Sequence, residues 1–162
     1  MALAVPAMAL AHGPEAIPDD PELLRQYQAG FQANQQGDYA TAHEKLVPLA
    51  EQGSSAAQLF VGFMYENAQG VPKDEAAAAN WYREAAERDN MIAQVRLSII
   101  YRDGHGMPRD SVKALAWASM AARGENHMQS IAKALQRKLK AGMTVEEIAA
   151  GEQLFHEHAA KH

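Results

Sequence analysis

Apolar residues along this chain fall three and four positions apart, the spacing of one face of a helix. No alternating run of β-branched residues appears, so the pattern predicts helices and no strands. Ala56 to about Asn67 carries Leu59, Val61, Phe63, Met64 and Tyr65 and reads as one helix. Gly70, Val71 and Pro72 break it, because neither Gly nor Pro continues a helix cheaply. Asp74 follows as an N-cap, its carboxylate placed to accept from orphan backbone N–H groups. Ala78, Trp81, Tyr82, Ala85 and Ala86 then give a second helix one stripe to bury.

The same pattern returns at an offset of 36 residues without a gap. With Ala57 set on Ala93, Gln58 meets Gln94, Tyr65 meets Tyr101, Gly70 meets Gly106 and Pro72 meets Pro108. Asp74 meets Asp110, Ala78 meets Ala114, Trp81 meets Trp117, Ala85 and Ala86 meet Ala121 and Ala122, and Asn90 meets Asn126. Gly62 and Ser98 are equivalent, and a small residue there is expected to let the two helices of a unit touch backbone to backbone. Trp81 and Trp117 recur at one position, which makes them core residues, since a core must recur and a ligand site need not.

The string Gln69-Gly70-Val71-Pro72-Lys73-Asp74, followed by Trp81-Tyr82-Arg83-Glu84-Ala85-Ala86, resembles the Sel-one-like repeat, a relative of the tetratricopeptide repeat. The second copy, His105-Gly106-Met107-Pro108-Arg109-Asp110 with Trp117, Ala121 and Ala122, matches less fully, with Ala118 for the usual Tyr and Ser98 for the usual Gly. An earlier stretch with Gly30, Gly37-Asp38-Tyr39, Ala42 and Leu49-Ala50 resembles an ordinary tetratricopeptide unit, with a loop four residues shorter. The resemblance implies an all-α fold: tetratricopeptide-like and Sel-one-like helical hairpins stacked as a short right-handed α-solenoid, closed by C-terminal capping helices. The expected division is 22–53, 54–89 and 90–126 for the three hairpins and 127–162 for the cap and tail. In the cap, Gln129 to Leu139 is expected to bury Ile131, Leu135 and Leu139, and Gly142 to end that helix. Thr144-Val145-Glu146-Glu147 is a capping box, and Ile148, Leu154 and Phe155 give the last helix its apolar side.

Residues 1–11 read as a truncated secretory signal, uncharged and ending in Ala9-Leu10-Ala11, which suits cleavage after Ala11. Residues 12–21, rich in proline and acid, read as a linker. The expected location is therefore the periplasm or the outside of the cell, with a cytoplasmic protein as the alternative. No stretch is apolar for long enough to span a bilayer.

Composition narrows the chemistry. Apolar residues make up 48% of the chain, enough for a buried core, and are heavy in Ala, which favours helices that approach closely. The net charge of −5 argues against nucleic-acid binding, which needs a basic field. With no cysteine, disulfides, thiolate nucleophiles and cysteine metal sites are excluded. Ser130-Ile131-Ala132-Lys133 matches the Ser-x-x-Lys core of penicillin-reactive enzymes, but the Ser-Asp-Asn and Lys-Thr-Gly elements are missing. His158 and His162 stand one helical turn apart, though Ala160 occupies the second His position of His-Glu-x-x-His. Lys133, Arg137, Lys138 and Lys140 make one helix basic.

The reading is a non-enzymatic protein–protein interaction module or adaptor without cofactor or metal. Its alternatives are a periplasmic cell-envelope enzyme accessory or hydrolase, and a metal-handling protein using the His tail. Tetratricopeptide geometry, carried over by resemblance, puts the first helix of each hairpin on a concave face that takes a partner's peptide or helix. That face comprises Tyr27, Phe31, Asn34 and Gln35, then Leu59, Phe63, Glu66 and Asn67, then Val95, Ile99, Arg102 and Asp103.

Overall fold

Asp74 accepts from the backbone N–H of Ala77 and Asp110 from that of Lys113, each at 2.9 Å, so both repeats start their second helix in the expected way. The computed structural model describes residues 21–124 and 127–161, and among them there are eight helices and no strand. The signal and most of the linker, residues 1–20, lie outside the described residues, as do Asn126 and His162. The linker's last residue, Pro21, opens the first helix, where its missing N–H costs nothing. The chain divides into two compact units, with the boundary in sequence between Asn90 and Met91.

The first unit holds α1 (Pro21–Gln35), α2 (Tyr39–Glu51), α3 (Ser55–Asn67) and α4 (Glu75–Ala86). These form two hairpins, α1 with α2 and α3 with α4, and α2 packs on α3. The core between the hairpins is Ala42, Leu46, Leu49 and Ala50 against Ala57, Val61 and Met64. Buried Gln58 donates from Nε2 to the carbonyl of Ala50 at 3.0 Å, satisfying an acceptor at the C-terminal end of α2. His43 sits edge-on to Tyr65 at 5.8 Å, and burial pushes its pKa below the usual imidazole value.

The role expected for Gly62 needs correction. A Cβ at Gly62 would lie 2.7 Å from Cε1 of Tyr82, so the glycine makes room for a fully buried ring and not for a second backbone. At the equivalent site in the other repeat, Ser98 donates from Oγ to the carbonyl of Ala114 at 2.7 Å, and Ala118 stands where Tyr82 would be. The two repeats solve one contact in two ways: a ring over a glycine, or a hydroxyl on a carbonyl beside an alanine.

Repeat positions also share backbone conformation. The residue after α3 is Ala68, left-handed with φ 54°, and its equivalent after α5 is Gly104 with φ 81°. A left-handed alanine costs roughly 1–2 kcal/mol that glycine escapes, part of which glycine returns as chain entropy. Ala68→Gly is therefore expected to stabilise the protein by about 0.5–1 kcal/mol in urea or thermal unfolding. An unchanged or lower midpoint would mean the turn relaxes without cost.

The second unit holds α5 (Met91–Asp103), α6 (Ser111–Ala121), α7 (His127–Lys140) and α8 (Val145–Ala159). α5 and α6 form the hairpin, and α7 and α8 each pack against α6. Every residue of α6 from Ala114 to Ala121 is buried as a result. A helix apolar all round belongs in a core, and Ala-Leu-Ala-Trp-Ala-Ser-Met-Ala is such a sequence. Its one hydroxyl is used: Ser119 donates to the carbonyl of Leu115 at 2.8 Å and accepts from Nε2 of Gln136 at 2.8 Å. Gly151 lets α8 lie close, since a Cβ there would be 2.9 Å from Leu115 Cδ2. The capping box forms as expected, with Thr144 and Glu147 exchanging side-chain and backbone hydrogen bonds.

The expected stripe on α7 is corrected at Ile131, which is 47% exposed. Ala132, Leu135 and Leu139 are the buried set. An i, i+4, i+8 series drifts by about 40° per step around a helix, and Ile131 falls off the edge of the stripe centred on the other three.

Candidate binding surface

In the first unit the predicted residues lie on α1 and α3. Tyr27 and Phe31 meet at 4.4 Å between ring centroids, and Phe31 meets Phe60 edge-on at 4.5 Å. Phe60 continues to Phe63 at 6.3 Å, and Phe63 to Tyr82 at 5.5 Å. Offset and edge-on pairs of this kind fix ring positions beyond what burial alone does. The row is thus held from beneath: Phe31 and Tyr82 are buried, while Tyr27, Phe60 and Phe63 are half-buried.

Phe60 was missed by the sequence reading, which chose its neighbour Leu59. Leu59 is 4% exposed and belongs to the core, and Phe31, at 8%, underlies the surface more than it forms it. The sequence signal for Phe60 was its place one turn before Phe63 on α3. The polar margin has its own fixings. Tyr82 donates its hydroxyl to Glu66, and Asn67 donates from Nδ2 to the carbonyl of Phe63 at 2.9 Å. Asn34 is half-buried and Gln35 exposed at the end of α1.

In the second unit the predicted residues lie on α5. Val95 is buried in one cluster with Ala132, Leu135 and Leu139 of α7, and Ile99 packs against that cluster half-exposed. Arg102 grips Asp103 with two hydrogen bonds, Nε to Oδ1 at 2.7 Å and Nη2 to Oδ2 at 2.6 Å. That grip holds the Asp103 carboxyl below the usual carboxylate range. The Arg102–Asp103 pair lies at the C-terminal end of α5, one turn beyond Ile99.

The other candidates are placed as follows. Trp117 is buried, and Trp81 packs half-buried against the core of the first unit. His158 lies against the Trp117 ring at 5.0 Å with Nδ1 3.3 Å from the carbonyl of Leu154, and His156 is exposed beside Phe155. No group of three metal-ligating side chains occurs among the described residues. Ser130 and Lys133 are both exposed, an environment that activates neither as a nucleophile. No helix among the described residues is long and apolar enough to cross a membrane.

The stacked helical hairpins, two of them with an Asp cap after a Gly-x-Pro loop, define an all-helical repeat protein of the tetratricopeptide-like class. Residues 55–90 and 92–126 each match the Sel1 repeat, so the chain carries two repeats of the Sel1-like (Sel-one-like) kind. Among solved structures the chain is similar to a protective antigen present in uropathogenic Escherichia coli strains that displays an SLR fold, with a TM-score of 0.79 and 30% identity. That likeness covers 87% of this chain and 30% of the antigen. It is also similar to a Sel1 repeat protein from Oxalobacter formigenes, with a TM-score of 0.65, 31% identity, and 72% and 34% of the two chains covered. The chain thus spans about a third of the length of these structures. No curated protein matches it. Sel1-repeat proteins are in general protein-interaction scaffolds and typically not enzymes.

Proposed function

We propose that this chain is a non-enzymatic interaction module that binds an extended peptide or a helix of a partner protein on the α1–α3 face of its first unit. The observation that carries the reading is the aromatic row, in which Tyr27, Phe60 and Phe63 are half-exposed in contact with the buried rings of Phe31 and Tyr82. Rigid aromatic anchors beside polar groups are the residues that dominate protein interfaces. Asn34, Gln35, Glu66 and Asn67 supply that margin for a partner's backbone and side chains. Ile99, Arg102 and Asp103 form the corresponding face of the second unit.

The test is crosslinking capture from native lysate with wild type, with Phe60→Ala/Phe63→Ala, and with Ile99→Arg. Circular dichroism first establishes that each variant keeps its helices. The expected result is a defined protein captured by wild type and lost by about tenfold or more in the aromatic variant, the effect of removing an interface anchor. Equal capture by wild type and the folded aromatic variant would move the site off this face. Loss in Ile99→Arg alone would place it on the second unit.

A further inference from the structure

We propose that the exposed face of α7 is a second docking surface, for an acidic helical segment of a partner protein. The protein is acidic overall, with a net charge of −5, yet α7 contains four basic residues and no Asp or Glu. Of the four, Lys140 is bound to Glu152 of α8 at 2.6 Å. Lys133, Arg137 and Lys138 are exposed and have no acidic partner among the described residues. This concentrates three unneutralised cations on one helix of a molecule whose field is otherwise negative, which selects and orients an acidic partner.

The apolar content of the same face argues for docking and not for charge alone. Turning the sequence at about 100° per residue sets Lys133 and Arg137 along one edge of the exposed face and Lys138 and Ile131 along the other. Between them lie the small exposed residues Ser130 and Ala134. Small residues in that seam let a second helix approach closely. Ile131, 47% exposed, gives the approaching helix an apolar contact, and Val145 at the start of α8 is 78% exposed. The opposite side of α7 is fixed to the core through Ala132, Leu135 and Leu139, so the face is held rigidly. An acidic amphipathic helix matches all three properties: carboxylates for the cations, an apolar residue for Ile131, and a backbone close over Ser130 and Ala134. Polybasic membrane adhesion uses about four to eight cations, more than this face has. Nucleic acid would meet the net negative field.

The test measures fluorescence anisotropy with the full chain and a labelled amphipathic peptide carrying Glu and Asp on its polar face, in low salt. A peptide with Gln and Asn at those positions is the comparison. Wild type is expected to bind the acidic peptide about tenfold more tightly than the neutral one. Lys133→Glu/Arg137→Glu/Lys138→Glu is expected to lose that binding by about tenfold or more. Ile131→Ser, which changes no charge, is expected to weaken it about threefold to tenfold. If the charge reversal disturbs helicity, the three residues changed to Ala carry the test. Full binding in the triple variant overturns the proposal, as does no binding in wild type. Undiminished binding in Ile131→Ser overturns it too, leaving only diffuse charge. Cosedimentation with phosphatidylserine vesicles in the absence of peptide binding would also overturn it, in favour of a lipid surface.

Discussion

Gly62→Val is expected to destabilise the protein by about 3 kcal/mol or more, and to become harmless once Tyr82 is removed. A Cβ at this position would stand 2.7 and 2.8 Å from Cε1 and Cδ1 of Tyr82. The ring is fully buried and its hydroxyl is tied to Glu66, so it has no free direction in which to retreat. Overpacking of this kind commonly costs about 1–3 kcal/mol, and the branched side chain adds to it. Tyr82→Ala alone is expected to cost about 3–5 kcal/mol, because it leaves a ring-sized cavity beneath α3. Placed together, the valine fills part of the space the ring vacates. The double variant is therefore expected to be no less stable than Tyr82→Ala alone, which is coupling of opposite sign to the two single losses. Urea unfolding of the four proteins measures it. Strictly additive losses would mean that the ring and the glycine do not share this space.

The second repeat gives the same argument in natural form. There the residues are Ser98 and Ala118, a larger residue paired with a smaller one, and the spare polar group bonds to the Ala114 carbonyl. The sequence showed that Gly62 and Ser98 were equivalent, but not what lay across from them. That depends on which residue of the second helix rotates onto the first, and a repeat alignment carries no such information. The features that were legible are local ones. Asp74, Asp110 and Thr144 cap their helices because the acceptor and the orphan N–H groups lie within one turn of each other. The repeat was legible because a Trp, a Tyr, a Gly and a Pro return in one register.

Errors arose where two neighbouring apolar residues compete for one interior position. On α3, Leu59 and Phe60 are adjacent, and burial takes Leu59 inward and leaves Phe60 half-exposed in the aromatic row. On α7, Ile131 and Ala132 compete, and the smaller residue is buried. Hydrophobicity alone favours Ile131. The geometry of packing against α6 favours Ala132, because a helix lies close only over small side chains. Gly151 acts in the same sense on α8: a glycine within a helix ordinarily weakens it, and here it marks close approach to Leu115. The candidate surface was legible in its helices and in Tyr27 and Phe63. Its fixing by Phe31, Phe60 and Tyr82 depends on contacts between helices.

Gly70→Ala is expected to cost about 3 kcal/mol, against about 1 kcal/mol for Gly37→Ala, and the difference measures how firmly the longer loop is seated. Both glycines are left-handed, with φ of 72° and 78°, so both pay the same conformational penalty for a side chain. They differ in what the side chain would meet. A Cβ at Gly37 has nothing within 4 Å, whereas one at Gly70 would stand 2.5 Å from the Tyr39 carbonyl oxygen and 2.9 Å from the Ala40 nitrogen. Those atoms belong to the first turn of α2, and backbone cannot swing aside as the end of a flexible side chain can. The loop after α3 is the one that is four residues longer than its counterpart after α1, and Gly70 is where it touches the preceding hairpin. The longer loop therefore lies directly against the preceding hairpin within the unit, and a Cβ at Gly37 in the shorter loop would meet nothing. Equal losses for the two substitutions in urea unfolding would show that the loop lifts off α2 at no cost. Hairpin order in this unit would then rest on the Ala42–Leu46–Val61–Met64 core alone. A surplus near 2 kcal/mol for Gly70→Ala would instead make the loop part of the structure that holds α1 and α3 side by side beneath the aromatic row.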